Sequence, residues 1–456
     1  MKQQTFVGPI IHTNNNGELI LLDQAAVVVQ NGEIKNVLPN PKPGDLTIAP
    51  ITRLGQGQFL IPGFVDCHFH AVQISNLGLG YDSPLLEWLE KYTFPVEKKF
   101  SDNEFAEKAF DAVVKRTLAM GTTTICYFAS LYREACIILA EKVLKYGQRA
   151  FIGKLNMNIA RDDGYFENTE NSFTNTLQFI EDITKLGSPL IKPILTPRFA
   201  LSCDMELMKK LGKLATSMDL PVQTHISENV EEVKAVANFF ETISSYAAVY
   251  DAAGLLTKKT ILAHGIYLTD DELNILKERG SSVIHCASSN ASIKSGICDV
   301  QKLKTKGIKV GLGTDVSGGK SLSILDEMRS ALVATNDLSF MKSNYHTLDY
   351  KDVFHMATLG GAACLSLDDK IGSFEPGKQF DAIVVDVNSP DSTLDNLVNY
   401  TLLEQFQRFI YSGDDRNIVE VFSEGYPRDN PINILQGGNW DVPMTSGMYM
   451  GSFWDI

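Results

Sequence analysis

Two histidines separated by one residue, His68 and His70, follow the apolar run Leu60-Ile61-Pro62-Gly63-Phe64-Val65. On a strand, residues two apart point to the same side, so both imidazoles can meet one ion at the strand's end. A pair of structural histidines is the alternative. The chain has only eight histidines, yet further ligand types stand just past later apolar runs: His225 after 220–224, His264 after 260–263 and Asp315 after 310–314. Nitrogen and oxygen donors without thiolate suit zinc or iron(II). Glu228 lies three residues past His225, and a helical turn or tight loop can return its carboxylate to the ion. A carboxylate there that does not ligate can shuttle protons; the alternative is an idle acid in a helix's first turn. The fourth apolar run ends in Thr196-Pro197-Arg198, with Lys192 near its start, so no lysine stands where it could bridge two ions. One ion held by His68, His70, His225 and Asp315 is therefore expected.

Such a site requires strands that end side by side. Apolar runs at 59–65, 122–128, 149–155, 190–195, 220–224, 260–263, 281–284 and 308–313 alternate with amphipathic helical stretches. This order predicts an α/β fold, a (β/α)8 TIM-like barrel, in which active-site groups collect at the C-terminal strand ends. Helices are expected over 102–120, 206–218 and 270–279, with Gly121 and Gly280 as stops. Strands at 5–12, 25–29 and 34–38, the last two a hairpin through Asn31-Gly32, are expected to join late strands at 380–387 and 418–422 in one small sheet domain. The predicted division is 1–60 and 371–425 for the two parts of that domain, 61–370 for the barrel, and an irregular tail at 426–456.

The chain has 456 residues, 44% hydrophobic and 21% charged, with a formal net charge of -14. That suffices for a large core and argues against a nucleic-acid partner, which needs clustered Lys and Arg. Seven scattered cysteines with no Cys-x-x-Cys pair read as reduced thiols. With no signal-peptide pattern and no apolar run of membrane-span length, the expectation is a cytoplasmic protein without a membrane partner.

The segments Pro62-Gly63-Phe64-Val65-Asp66-x-His68-x-His70, His225-x-x-Glu228, Ala263-His264-Gly265, Gly313-Thr314-Asp315 and Ile371-Gly372-Ser373-Phe374-Glu375-Pro376-Gly377-Lys378 together resemble the amidohydrolase superfamily, specifically its mononuclear aminohydrolases. More narrowly, Leu85-Leu86-Glu87-Trp88-Leu89-x-Lys91-Tyr92-Thr93-Phe94-Pro95, Thr196-Pro197-Arg198-Phe199, Thr224-His225-Ile226-Ser227-Glu228-Asn229 and Gly413-Asp414-Asp415-Arg416-Asn417-Ile418 are similar to the guanine deaminases within it. The resemblance runs from about residue 5 to about residue 423.

It implies one Zn2+ per chain, favoured over iron, and hydrolytic deamination of guanine to xanthine and ammonia in purine catabolism. Asp315 would be ligand and base, Glu228 would protonate the ring nitrogen beside C2, and His264 would orient the attacking oxygen. His70, His225, Glu228, His264 and Asp315 would all border the substrate. Arg198 would donate to O6 and N7 of guanine, which accept where the amine of adenine would not. Phe199 would flank the purine plane and Gln73 would meet the base edge; capping, core and solvated roles are their alternatives. His285 is expected behind the ligands or in the pocket wall, and His12, His346 and His355 at ordinary sheet or helix positions. A homodimer is also implied.

Two features depart from the family pattern. Ala287 replaces the proline usual after His285-Cys286, freeing a loop expected to border the pocket, and Gly425-Tyr426-Pro427 opens an unmatched segment. Its end, Trp454-Asp455-Ile456, has the form of a C-terminal peptide ligand for a partner domain. The competing readings are an aminohydrolase for another base or a nucleoside, and a catalytically silent scaffold of the same fold.

Overall fold

The computed structural model describes residues 3–424 together with the backbone of Tyr426 and Pro427. The remainder of the expected tail, with Trp440, Trp454 and the terminal peptide, lies outside the described residues.

The first strands, β1 (Gln3–Thr13), β2 (Leu19–Gln30) and β3 (Glu33–Pro39), form an antiparallel meander. Asn31 and Gly32 make its tight turn with φ of 51° and 82°, the left-handed pair that suits the twist of a two-residue hairpin. β4 (Ile51–Arg53) and β5 (Gln58–Pro62) both run parallel to β1. Phe6, Ile10 and Leu60 supply a buried apolar face on this sheet.

The sequence reads residues 59–65 as one strand, whereas the chain divides there. Gly63 N donates to Asp381 O, in the late part of the chain, while Phe64 N donates to Gly121 O, before the next parallel strand. A Cβ on Gly63 would fall 2.2 Å from Thr123 Oγ1, so only glycine permits this crossing. β6 (Phe64–His70) then begins a parallel set with β7 (Thr122–Phe128), β8 (Arg149–Gly153), β9 (Leu155–Asn156), β10 (Ile191–Pro193) and β11 (Thr196–Pro197). The third and fourth expected runs are each split in two, and each half pairs with its counterpart. A second parallel sheet contains β12 (Val222–Ile226), β13 (Thr260–His264), β14 (Ser282–His285) and β15 (Val310–Leu312) in sequential order. Leu195 bridges to Val222 between the two sets, and Asp315 N donates to His68 O at 2.8 Å, returning from the end of β15 to β6.

Helices connect these strands as the sequence predicts. Asn103–Ala119 is capped by Asp102, whose carboxylate accepts from Glu104 N at 2.8 Å, and the chain leaves it through Gly121 at φ 82°. Asp270–Arg279 starts on a Thr269/Glu272 capping box and stops at Gly280, φ 71°. The late strands β16 (Ala382–Asp386), β17 (Ile418–Ser423) and β18 (Tyr426–Pro427) complete the first sheet, with β16 antiparallel to β5 and Leu60 facing Val384. The result is an α/β fold in which sequentially distant termini share a sheet and parallel strands alternate with helices. Among the described residues, no helix is long and apolar enough to cross a membrane.

Candidate metal centre and pocket

The C-terminal ends of β6, β12, β13 and β15 converge. His68 and His70 alternate with Phe69 along β6, where all seven residues are buried. His225 lies on β12, His264 ends β13, and Asp315 follows β15. His264 and Asp315 have φ of 75° and 47°. Left-handed backbone at non-glycine residues costs about 1 kcal/mol or more and persists only where its surroundings enforce it. Here it turns the chain sharply just as each side chain reaches the mouth.

One possible ligand atom from each of His68, His70, His225 and Asp315 lies within 4.8 Å of all the others. Asp315 Oδ1 is 3.1 Å from His68 Nε2 and 3.3 Å from His70 Nε2, and His70 Nε2 is 3.1 Å from His225 Nε2. A tetrahedral ion with bonds of about 2.0 Å separates its ligands by about 3.3 Å. The electrostatics fit such an ion as well. Burial lowers the pKa of all three imidazoles, that of His70 to about 4, and so favours their neutral forms. Burial acts to raise Asp315, but the imidazoles of His68 and His70 beside it hold it well below the usual carboxylate range. His225 Nδ1 sits 2.6 Å from Arg198 O, which places its proton on Nδ1 and leaves Nε2 a bare lone pair. His68 Nε2 is buried and makes no well-aligned hydrogen bond, although Asp315 Oδ1 stands 3.1 Å away. Lone pairs directed at one point beside an anionic oxygen are stable around a divalent cation.

Asp66, to which the sequence reading gives no role, locks two of these strand ends together. Its carboxyl accepts from His68 N and Thr314 N, both at 3.1 Å, and from Thr314 Oγ1 at 2.6 Å, while burial pushes its pKa up to about 7.

Beside the cluster is a cavity lined by His70, Gln73, Arg198, Phe199, His225, Glu228, His264 and Asp315. Every expected substrate contact therefore borders one space, with His68 packed among His70, His225 and His264. His264 Nε2 is 3.4 Å from Glu228 Oε2 and 3.9 Å from Asp315 Oδ2. Burial, followed by the charges of Glu232 and Asp315, raises Glu228 well above the usual carboxylate range.

The wall holds a group the sequence reading missed. Glu97, fully buried, accepts from Arg198 Nη1 at 2.6 Å, Arg198 Nη2 at 3.1 Å, Gln73 Nε2 at 2.9 Å and the Tyr165 hydroxyl at 3.0 Å. Burial acts to raise it, but the Arg198 guanidinium prevails and holds it low. The end of the Arg198 fork is thus engaged inside the protein, while the residue still lines the cavity. Gln73 is doubly committed, since its Oε1 accepts from Ser317 N at 3.1 Å. Only the position of Glu97, two residues beyond the Phe94-Pro95 motif, hints at it in the sequence. Leu85, Trp88, Leu89 and Ile293 add apolar lining that spacing alone does not single out.

The remaining expectations find simple places. His285 ends β14, buried and outside the ligand group. His12 is in a strand and His355 in a helix, but His346 lies in an exposed loop. Ala287 begins the short helix Ala287–Ser292 rather than a loop, and it is absent from the cavity lining. Cys67 and Cys286 are buried, which raises both thiols well above their ordinary range and suits packing rather than nucleophilic chemistry.

The sequence profile of the amidohydrolase family matches residues 59–427, and the chain belongs to that family. Within it, the similarity is to guanine deaminases. The mouse protein is 46% identical over 380 residues, covering 82% of this chain and 84% of its own. The protein of Dictyostelium discoideum is 41% identical over 436 residues, covering 92% and 97%. Among solved structures, guanine deaminase from C. acetobutylicum, with guanine bound in its active site, superposes with a TM-score of 0.88 at 35% identity, covering 94% of this chain and 100% of that one.

Proposed function

We propose that this chain is a guanine deaminase carrying one zinc ion, and that it hydrolyses guanine to xanthine and ammonia. The observation that carries the proposal is the cluster of three buried imidazoles and a carboxylate at a cavity that also holds Glu228, His264 and Arg198. His68, His70, His225 and Asp315 hold the metal, and zinc fits their nitrogen and oxygen donors. When bound, the ion supplies a Lewis acid that makes water nucleophilic near neutral pH.

The residues divide the remaining work. Asp315 takes the proton released as water adds to C2 of the base. Glu228, held protonated by burial, delivers a proton to the ring nitrogen beside C2, so that carbon becomes electrophilic. His264 orients the attacking oxygen. The tetrahedral carbon then expels its amino group, which takes the proton held by Asp315 and leaves as ammonia, while the hydroxyl proton on C2 returns to Glu228 as the carbonyl of xanthine forms. Arg198 donates to O6 and N7, Gln73 lies against the base edge and Phe199 flanks the ring.

The larger architecture belongs to the same proposal. The parallel strands close into a (β/α)8 barrel, supported by the Asp315 N to His68 O bond and the Leu195–Val222 bridge. Residues 61–370 form that barrel domain, and 1–60 with 371–425 form the small sheet domain. A homodimer rests on the family resemblance, and a cytoplasmic setting on the seven unpaired, buried cysteines.

The test is metal content and guanine turnover measured on one purified sample. One zinc per chain, with turnover abolished by chelation and restored by zinc, is the expected result. Full zinc occupancy without ammonia release from guanine would overturn the substrate assignment, and failure to bind metal would overturn the site.

A further inference from the structure

Two of the proposed reacting groups touch the same short stretch of chain after β14. His264 Nδ1 lies 2.9 Å from Asn290 Oδ1, and Ser295 Oγ donates to Glu228 Oε1 at 3.2 Å. Asn290 and Ser295 are both about 2% exposed. Their spacing is fixed by the backbone, since Ser295 N and Gly296 N both donate to Asn290 O, at 2.8 and 3.2 Å. The stretch is also tied to the His264 loop through Tyr267, whose hydroxyl donates to Ser295 O at 2.5 Å. Gly296, at φ 144°, admits this contact, because a Cβ there would come within 2.6 Å of the Tyr267 oxygen.

The directions of these bonds determine where protons sit. An amide oxygen only accepts, so Asn290 Oδ1 holds a proton on His264 Nδ1 and exposes the Nε2 lone pair. The hydroxyl of Ser295 donates into Glu228 Oε1, so the carboxyl proton belongs on Oε2, the oxygen 3.4 Å from His264 Nε2. Glu228 then has one proton that can face either His264 or the base, and His264 has a lone pair ready for the attacking water.

We propose that Asn290 and Ser295 are positioning residues for the deamination, Asn290 fixing the tautomer of His264 and Ser295 selecting the proton-bearing oxygen of Glu228. This rests on the guanine deaminase reading for its effect on turnover, but not for the tautomer, which is a property of the protein alone. Replacing either residue should lower kcat and leave metal binding intact. By analogy with the hydrogen-bond partners that orient metal ligands, whose loss typically costs about 10- to 100-fold, an effect of that size is expected.

The experiment combines two measurements on the zinc-loaded full chain. Histidine labelled with nitrogen-15 reports which ring nitrogen of His264 carries the proton, the resonance being assigned by its loss in His264→Gln. Wild type should show the proton on Nδ1, and a proton on Nε2 with a bare Nδ1 would overturn the proposal without bearing on guanine. In parallel, Asn290→Leu and Ser295→Ala should lower kcat about 10- to 100-fold with KM for guanine changed less than about threefold, while Asn290→Asp, which keeps an accepting oxygen, should recover part of the loss. Equal falls in the Leu and Asp variants, or a loss borne by KM or zinc content, would show a merely structural role. Failure of wild type to turn over guanine while the tautomer is as stated would defeat the substrate reading instead.

Discussion

At the floor of the cavity His70 Nε2 and His225 Nε2 stand 3.1 Å apart and His68 Nε2 makes no well-aligned hydrogen bond, whereas on its wall each oxygen of Glu97 accepts two bonds. Both regions are buried and polar, and each contains a carboxylate held below its usual pKa range against the pull of burial. They differ in what is missing. The wall closes its own network, so Arg198 and Gln73 keep fixed orientations. The floor leaves lone pairs that a cation must satisfy, because an unsatisfied buried polar atom costs roughly 1–3 kcal/mol. A self-satisfied network sets which ligand fits, and an unsatisfied one sets where chemistry happens.

The strongest way to break this contrast is to remove a floor carboxylate. Asp315→Asn takes away the anionic ligand and the proposed base together. Metal content should fall from one ion per chain toward zero, with turnover reduced by at least about 10^4-fold, the scale of losing Lewis acid and general base at once. A variant that retains zinc and more than a tenth of wild-type turnover would remove Asp315 from both roles.

Glu228→Gln spares the floor but removes the proton carrier beside it. Zinc should remain at one per chain while kcat falls about 10^2- to 10^4-fold. Near-normal turnover would rule out Glu228 as the proton donor.

On the wall, Glu97→Gln leaves the Arg198 guanidinium buried without its counter-ion. Breaking such a pair from one side costs about 3–5 kcal/mol of stability, and the freed fork loses its fixed direction. The effect should therefore differ from that at the floor: full zinc content, a lowered melting temperature and a KM for guanine raised about 10- to 100-fold, equivalent to about 1.4–2.8 kcal/mol, with kcat changed less. If instead Glu97→Gln lowers kcat and spares KM, the wall takes part in chemistry and the contrast fails.

The two regions also differ in how far the sequence reveals them. His68-x-His70, His225, His264 and Asp315 are legible because each follows a recognisable apolar run, and strand periodicity directs such residues to a common edge. Glu97 belongs to no strand end, and its meaning depends on the long-range approach of Arg198, which periodicity does not encode. The same limit applies to the fold. The hairpin and the glycine stops are local and readable, but the change of sheet at Gly63 depends on Asp381 and Gly121 as partners, and the splitting of the third and fourth strands depends on their mutual pairing. Asn290 and Ser295 were hidden for a similar reason: one short segment reaches two groups borne on other strands' ends.

A third buried carboxyl sharpens the comparison because it has neither a cation nor a clustered set of ligands. Glu327 accepts from Ser288 N at 3.2 Å, and burial outweighs that bond to raise its pKa to about 8. The sign of its contribution follows from proton counting. Below the unfolded-state value of 4.5 both states hold the proton; between there and about 8 only the folded state does. Stability contributed by this group is therefore complete at low pH and is lost as pH rises through that window, at up to about 1.4 kcal/mol per pH unit. Glu327→Gln removes the titration while keeping an accepting oxygen for Ser288. The variant should lose less melting temperature than wild type between pH 6 and 8, with guanine turnover at pH 7 within about twofold of wild type, the modest change expected of a group that touches no proposed reacting atom. Parallel stability curves for the two proteins would mean that Glu327 is already ionised in the fold, and burial without a cation would then no longer separate it from Glu97.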